Sequence, residues 1–271
     1  MGNEQITANN NTDDSQPEFE LEERDTKYHM KKIKEYADKY DFERALKEAK
    51  LAHEKEPNDS GLMMQMGCIY HLMNNFEEAL KCFRESIKLD VGFAMAYFNR
   101  ANTYAAMGDK EKAFEDYSSA LNINQDLECV YFSRGDLYLK NEQLDQAEED
   151  FKNCVRLIPS QSRAHIRLGF IYHKRGNIEK AFYAFNNGLM LNERDTYGYV
   201  CKGNLHLDQD DQTNALECYN KAIDVNVKYV LAYQKRAALY DLMGKKELAE
   251  KDRDTIEKLT MPIPKEEEKN N

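Results

Sequence analysis

The sequence holds no CxxC pair, no apolar run of 18 residues and no sustained basic stretch. It also has no GxxxxGK[ST], GxGxxG or GxSxG motif. Each absence excludes a class of function. The six cysteines, Cys68, Cys82, Cys129, Cys154, Cys201 and Cys218, lie singly on predicted helices. Disulfides are therefore not expected, and a reducing, cytoplasmic compartment is. Without a long apolar run no membrane span is expected. Formal charge is −11, and residues 1–25 hold eight acids against Arg24 alone, which leaves the middle of the chain close to balanced. Nucleic-acid binding needs a sustained basic surface, so no such partner is expected. His165, His173, His29, His53, His71 and His206 are scattered without zinc-site spacing, so no metal is expected. No phosphate-cradling or nucleophile loop is present, and the pairs Glu77-Glu78 and Glu148-Glu149 read as solvated helix acids. No catalytic residue and no cofactor are expected. The opening Met-Gly-Asn-Glu-Gln-Ile has no apolar core of a secretory signal, and Ile6 stands where a myristoylation site wants Ser or Thr.

What the sequence does have is an alanine every 34 residues: Ala45, Ala79, Ala113, Ala147, Ala181, Ala215 and Ala249. Such a period marks a stacked array of identical supersecondary units. The units start near 26, 60, 94, 128, 162, 196 and 230, and the array is expected over 26–263. An acidic N-terminal tail, 1–25, and a charged C-terminal tail, 264–271, are expected to be disordered, because they hold too few apolar residues to offset ordering entropy.

Each unit divides in the middle at Asn74-Asn75, Gly108-Asp109, Gly176-Asn177, Asp210-Asp211 or Gly244-Lys245. Gly and Asn tolerate the left-handed conformation that ends a helix, and the Asp or Asn that follows can cap the next. Pro57 and Pro159 stop helices between units. The repeat is therefore helix–turn–helix. Position 8 is small in six units (Gly67, Ala101, Gly135, Gly169, Gly203, Ala237), with Ile33 the exception. Position 11 is Tyr36, Tyr70, Tyr104, Tyr138, Tyr172, His206 and Tyr240, and position 24 is Phe83, Tyr117, Phe151, Phe185 and Tyr219. Small residues at 8 and 20 let paired helices approach, and the rings are expected to fill the space between neighbours. Arg100, Arg134 and Arg236 at position 7 are expected to bury their stems and reach water with their heads.

Small at 8, Tyr at 11, Ala at 20, aromatic at 24 and small at 27 (Ala52, Ser86, Ala120, Cys154, Gly188, Ala222) resemble the tetratricopeptide repeat in all seven units. The resemblance implies an all-α fold, a right-handed solenoid of antiparallel helix pairs whose first helices line a concave groove. It departs at the ends, at Ile33 and Ala49 and at Arg253 and Ile256, as terminal capping units do.

At about 100° per residue, first-helix positions 4, 7, 8 and 11 share the packed face. Positions 2, 5, 6, 9, 12 and 13 share the opposite one, which the resemblance places on the groove. Position 5 reads Met64, Phe98, Phe132, Ile166 and Val200, and Met95, Leu139, Phe170 and Leu207 extend this apolar strip. An exposed apolar strip marks a partner site. Asn99, Asn102, Ser133, Asp136, Arg163, Arg167, His173, Lys174 and Asn204 accompany it. The expected function is a non-enzymatic scaffold or adaptor that binds a partner protein's peptide or helix in the groove. Chaperone-binding members of the family grip the acidic C-terminal tail of heat-shock proteins. Here Asn102 and Arg167 match their pattern, Arg163 keeps the charge, and Phe98 and Ser133 depart. Capture of such a tail by Asn102, Ser133, Arg163 and Arg167 is one alternative. A spacer bound through the convex second helices is another.

Overall fold

The computed structural model describes residues 26–261; the two expected tails, 1–25 and 264–271, lie outside the described residues. Fourteen helices follow one another among the described residues. They are α1 (Thr26–Asp38), α2 (Phe42–Lys55), α3 (Ser60–Leu72), α4 (Phe76–Leu89), α5 (Ala94–Met107), α6 (Lys110–Ile123) and α7 (Glu128–Lys140). The remainder are α8 (Leu144–Leu157), α9 (Ser162–Lys174), α10 (Ile178–Leu191), α11 (Thr196–Leu207), α12 (Gln212–Val225), α13 (Val230–Leu242) and α14 (Lys246–Thr260). The fold is an all-α helical-repeat solenoid. It divides into two compact units, residues up to Gln125 and residues from Asp126. The first contains α1–α6 and the second α7–α14.

Within a unit each odd-numbered helix packs on the even-numbered helix that follows, and that helix packs on the next odd one. The turn inside each pair has one form. Position 15 is left-handed in all seven repeats: Tyr40, Asn74, Gly108, Glu142, Gly176, Asp210 and Gly244, with φ from 56° to 85°. The next backbone N–H returns to the position-11 carbonyl, as in Asn75 to Tyr70 and Asn177 to Tyr172, both 2.9 Å. This bond satisfies a carbonyl that the helix end leaves open. Asp41, Asn75, Asp109, Asn177 and Asp211 then cap the second helix by accepting from the backbone N–H three residues on.

The pair is held by one close approach. All seven position-20 alanines are fully buried. The position-24 ring lies on position 8 of its own pair, and Phe185 and Tyr219 also share a core cluster with residues of the following repeat, Cys201 and Leu205 in one and Ala232 and Leu239 in the other. A Cβ added at Gly169 would stand 2.6 Å from Phe185 Cδ1, and one at Gly203 would stand 2.5 Å from Tyr219 Cε1. In the first repeat the bulk is exchanged, with Ile33 at position 8 and Ala49 at position 24, both buried in one core cluster. These two residues are therefore a complementary swap and not polar capping. At the other end Arg253 does cap, forming ion pairs with Asp241 and Glu250.

Two substitutions test this geometry by urea denaturation. Gly169→Ala lowers stability, because overpacking of about 1–3 kcal/mol outweighs a helix-propensity gain of about 1 kcal/mol. Glu142→Gly raises it by about 1 kcal/mol, because Glu142 is exposed and holds a φ of 59° that only glycine adopts without strain.

Candidate functional site

Position 5, expected to face open solvent, forms instead a layer between repeats. Ile166 and Val200 are 1% exposed and Phe132 9%; Met64 and Phe98 are half-buried. The cause is a second neighbour. A first helix touches its own partner and also the first helix of the following repeat, as α9 does α11 and α11 does α13. A Cβ on Gly198 of α11 would come 2.8 Å from Ile166 Cδ1, and one on Gly188 of α10 would come 2.6 Å from it. The packed face is thus wider than a wheel with one partner allows, and no exposed apolar strip runs along this position.

In the first unit Met64 Sδ accepts from Asn99 Nδ2 at 3.4 Å and from the Cys68 thiol at 3.5 Å, while Asn99 also donates to the Met95 carbonyl at 2.9 Å. Phe98 lies against Tyr117, with ring centroids 6.2 Å apart. The Tyr117 hydroxyl donates to Asn102 Oδ1 at 2.6 Å. The pairing recurs in the second unit, where Tyr219 donates to Asn204 at 2.8 Å. Asn102, the residue that matches the chaperone-binding pattern, is thereby engaged with its own repeat's tyrosine.

The second unit holds two adjoining cavities. The larger, about 700 Å³, is lined by Asp136, Leu139 and Lys140 from α7, by Arg163, Ile166, Arg167 and Phe170 from α9, and by Thr196 and Tyr197 from α11. Asn192, Arg194 and Asp195 from the α10–α11 connection and Tyr229 from the α12–α13 connection complete it. The smaller, about 530 Å³, is lined by Phe170, His173, Lys174, Cys201, Asn204, Leu207, Asp208, Tyr219, Lys235 and Ala238. Phe170 lines both, so the two form one trough. Ile166 is its floor and not an exposed anchor. Ser133 is half-buried on α7 and lines neither cavity.

The polar walls are tied together. Arg167 Nε donates to Asp136 at 2.6 Å, and its guanidinium carbon stands 5.2 Å from the Tyr197 ring centroid. Burial opposes the charge on Arg167, but the hydrogen bond and charge of Asp136 more than offset it and raise its pKa. His173 Nε2 meets Asp208 at 2.6 Å. Arg163 is exposed and stacks over Phe132, 4.5 Å from the ring centroid. Sequence reasoning missed Lys140, Arg194, Tyr197, Tyr229 and Lys235. Arg194 and Tyr229 stand in connections between repeats, which a reading confined to the first helices passes over.

Arg100, Arg134 and Arg236 do not send their heads to water. Each forms a two-pronged ion pair with a position-23 aspartate: Asp116, Asp150 and Asp252, at 2.7–2.9 Å. Burial raises the Asp150 pKa, and Arg134 opposes that rise. Where position 7 is Met66 or Leu168, position 23 is Cys82 or Ala184, so these repeats lack both charges; the first and sixth repeats have Lys32 with Glu48 and Lys202 with Cys218. Burial also pushes the Cys82, Cys201 and Cys218 thiols up to about 11, which keeps them protonated at neutral pH. Among the described residues no group of three or more His, Cys, Asp or Glu could hold a metal ion, and no helix is long and apolar enough to cross a membrane.

A model described as "Tetratricopeptide repeat" matches residues 94–127, another of that description matches 130–161 and 198–227, and a "TPR repeat" model matches 67–108. The chain belongs to the tetratricopeptide repeat family. Its solved structural neighbours include a tetratricopeptide repeat protein from Parabacteroides merdae, at TM-score 0.68 and 23% identity over 87% of this chain and 93% of that one. The chain is also similar in fold to YrrB, described as a TPR protein with an unusual peptide-binding site (TM-score 0.57, 21% identity, 69% of this chain and 96% of that one). A chain of the APC/C hetero-tetramer Cut9–Hcn1 is a third neighbour in fold, at TM-score 0.67 and 18% identity. The match covers 78% of this chain and 42% of that one. No curated protein matches the sequence. The tetratricopeptide fold supports protein–protein interaction scaffolds in general; its members bind protein or peptide partners and are typically non-catalytic.

The paired arginine and aspartate columns generate a stability test. Arg134→Leu leaves Asp150, 2% exposed, without its partner and costs about 3–5 kcal/mol. Arg134→Leu with Asp150→Ala, the combination that the fifth repeat carries as Leu168 and Ala184, recovers most of that loss in the same denaturation series.

Proposed function

We propose that this chain is a non-enzymatic interaction scaffold that takes an extended segment of a partner protein in the trough of its second unit. The observation that carries this reading is the placement of Phe170. It lines both cavities, so a single segment can run across it and occupy the two together. Cavities of this size with apolar floors and a few convergent polar groups are the usual form of a binding site. The likeness in fold to a protein described by its peptide-binding site agrees with this reading. Six thiols without disulfides suit a cytoplasmic adaptor. Heat-shock-tail capture by Asn102, Ser133, Arg163 and Arg167 has less support, because Tyr117 engages Asn102 and Asp136 engages Arg167.

A spacer bound by its second helices has its own observation: Tyr183 and Met190 of α10 are 71% and 73% exposed. Affinity capture from cells that express the protein separates the two readings. Phe170→Ala reduces partner recovery at least about ten-fold, as loss of a buried aromatic anchor does. The pair Tyr183→Asp and Met190→Asp leaves recovery unchanged. The reverse outcome moves the partner to the second helices.

A further inference from the structure

The trough carries six cationic side chains, Lys140, Arg163, Arg167, Lys174, Arg194 and Lys235, against three carboxylates, Asp136, Asp195 and Asp208. All three acids are already engaged within the protein. Asp136 accepts from Arg167, Asp208 meets His173, and Asp195 Oδ1 caps α11 through the Gly198 N–H at 2.8 Å. Of the six cations, Arg167 alone has a carboxylate partner among the described residues. Six cations against three carboxylates leave the trough a surplus of three positive charges, in a chain whose net charge is −11, and five of the cations have no direct carboxylate partner among the described residues.

The trough also holds its cations in a form suited to receiving a ligand. The Arg163 guanidinium carbon stands over Phe132, 4.5 Å from the ring centroid, and Arg163 has no carboxylate partner among the described residues, so its N–H groups can meet an acceptor. Lys174 Nζ stands 5.7 Å from the Phe170 ring centroid, so charge and apolar surface adjoin. Burial and a hydrogen bond with Cys201 push the Tyr197 phenol up, so that hydroxyl is already engaged, whereas the Tyr229 phenol, pushed up by burial, can donate at neutral pH.

We infer that the occupant of the trough is an extended protein segment with carboxylate side chains on both sides of one aromatic or large aliphatic residue. The inference rests on the reading of the trough as the partner site and adds the chemistry of the partner. The apolar residue packs on Phe170. Carboxylates on one side meet Lys140, Arg163 and Arg194, and those on the other meet Lys174 and Lys235. These cations come from α7, α9, the α10–α11 connection and α13. Three line the larger cavity and two the smaller, a division that matches several single charges better than one phosphoryl group.

The full-length protein is titrated by fluorescence anisotropy with labelled, blocked peptides of equal length. One has glutamates flanking a central phenylalanine; in the others glutamine, lysine or phosphoserine replaces the glutamates. The glutamate peptide binds at least about ten-fold more tightly than the glutamine peptide, and the lysine peptide does not bind. Arg163→Gln with Arg194→Gln removes about ten-fold of the glutamate affinity and leaves the glutamine peptide unaffected. Equal binding of the glutamate and glutamine peptides overturns the carboxylate preference while the trough stands as the site. Tighter binding of the phosphoserine peptide by about ten-fold overturns the choice of carboxylate over phosphoryl. Glutamate binding that survives both Phe170→Ala and the arginine pair puts the ligand outside the trough and overturns the partner-site reading as well. Absence of saturable binding by all four peptides overturns the inference, and the Phe170→Ala capture experiment then decides the site separately.

Discussion

The structure depends on how closely two helices of a repeat can approach, and that is set where a position-24 ring meets a position-8 residue with little or no side chain. A ring 2.5–3.0 Å from where a Cβ would stand leaves no slack, and the buried position-20 alanine admits nothing larger. Volume and not identity is conserved from repeat to repeat: Ile33 with Ala49 restores the same sum with the bulk on the other helix. Once the pair has this spacing, one left-handed residue and one return hydrogen bond suffice to close the turn. Even Tyr40 and Glu142 are drawn into the left-handed conformation, because the helices on either side specify where the chain must pass.

The features that could be read from the sequence are those that are local and repeated. The period, the helix pair, the capping residues and the small-on-ring contact each recur in column after column, so seven copies report on one geometry. The depth of position 5 could not be read this way. A helical wheel treats a helix as having one neighbour, whereas α9 contacts α8, α10 and α11, and α11 contacts α9, α10, α12 and α13; the added neighbours cover Ile166 and Val200. Within the face set opposite the paired helix, position 5 is the deeper layer, and position 13 (Leu72, Ala106, Lys140, Lys174 and Asp208) is the exposed one. Where the notional strip promised apolar anchors, the solvent meets mainly charged and amide groups, with Phe170 among them.

Two further relationships were present in the sequence as paired columns and went unread. Position 7 and position 23 are Arg with Asp in three repeats, apolar with apolar or cysteine in two, and Lys32 with Glu48 and Lys202 with Cys218 in the other two, so the exchange holds wherever position 7 is arginine or apolar. Such exchange is what a buried ion pair requires, since either partner alone leaves an uncompensated charge. Position 9 is asparagine in the two repeats whose position 24 is tyrosine, and the tyrosine hydroxyl explains it. Asn102 thus satisfies a buried phenol first. Its likeness to a ligand-binding asparagine of other family members follows from the same register and does not require the same use.

The trough's charge does not contradict the acidity of the chain. At physiological ionic strength exposed charges are screened over about 8 Å, so acids elsewhere on the surface contribute little to the field inside the trough. What a ligand meets there is set by the nearest groups, and in the trough six cations outnumber three carboxylates. The partly enclosed walls weaken solvent screening further. A chain that is strongly negative in sum can therefore offer a locally positive surface. That combination discriminates: the surplus of cations in the trough favours a short acidic segment over a neutral or basic one.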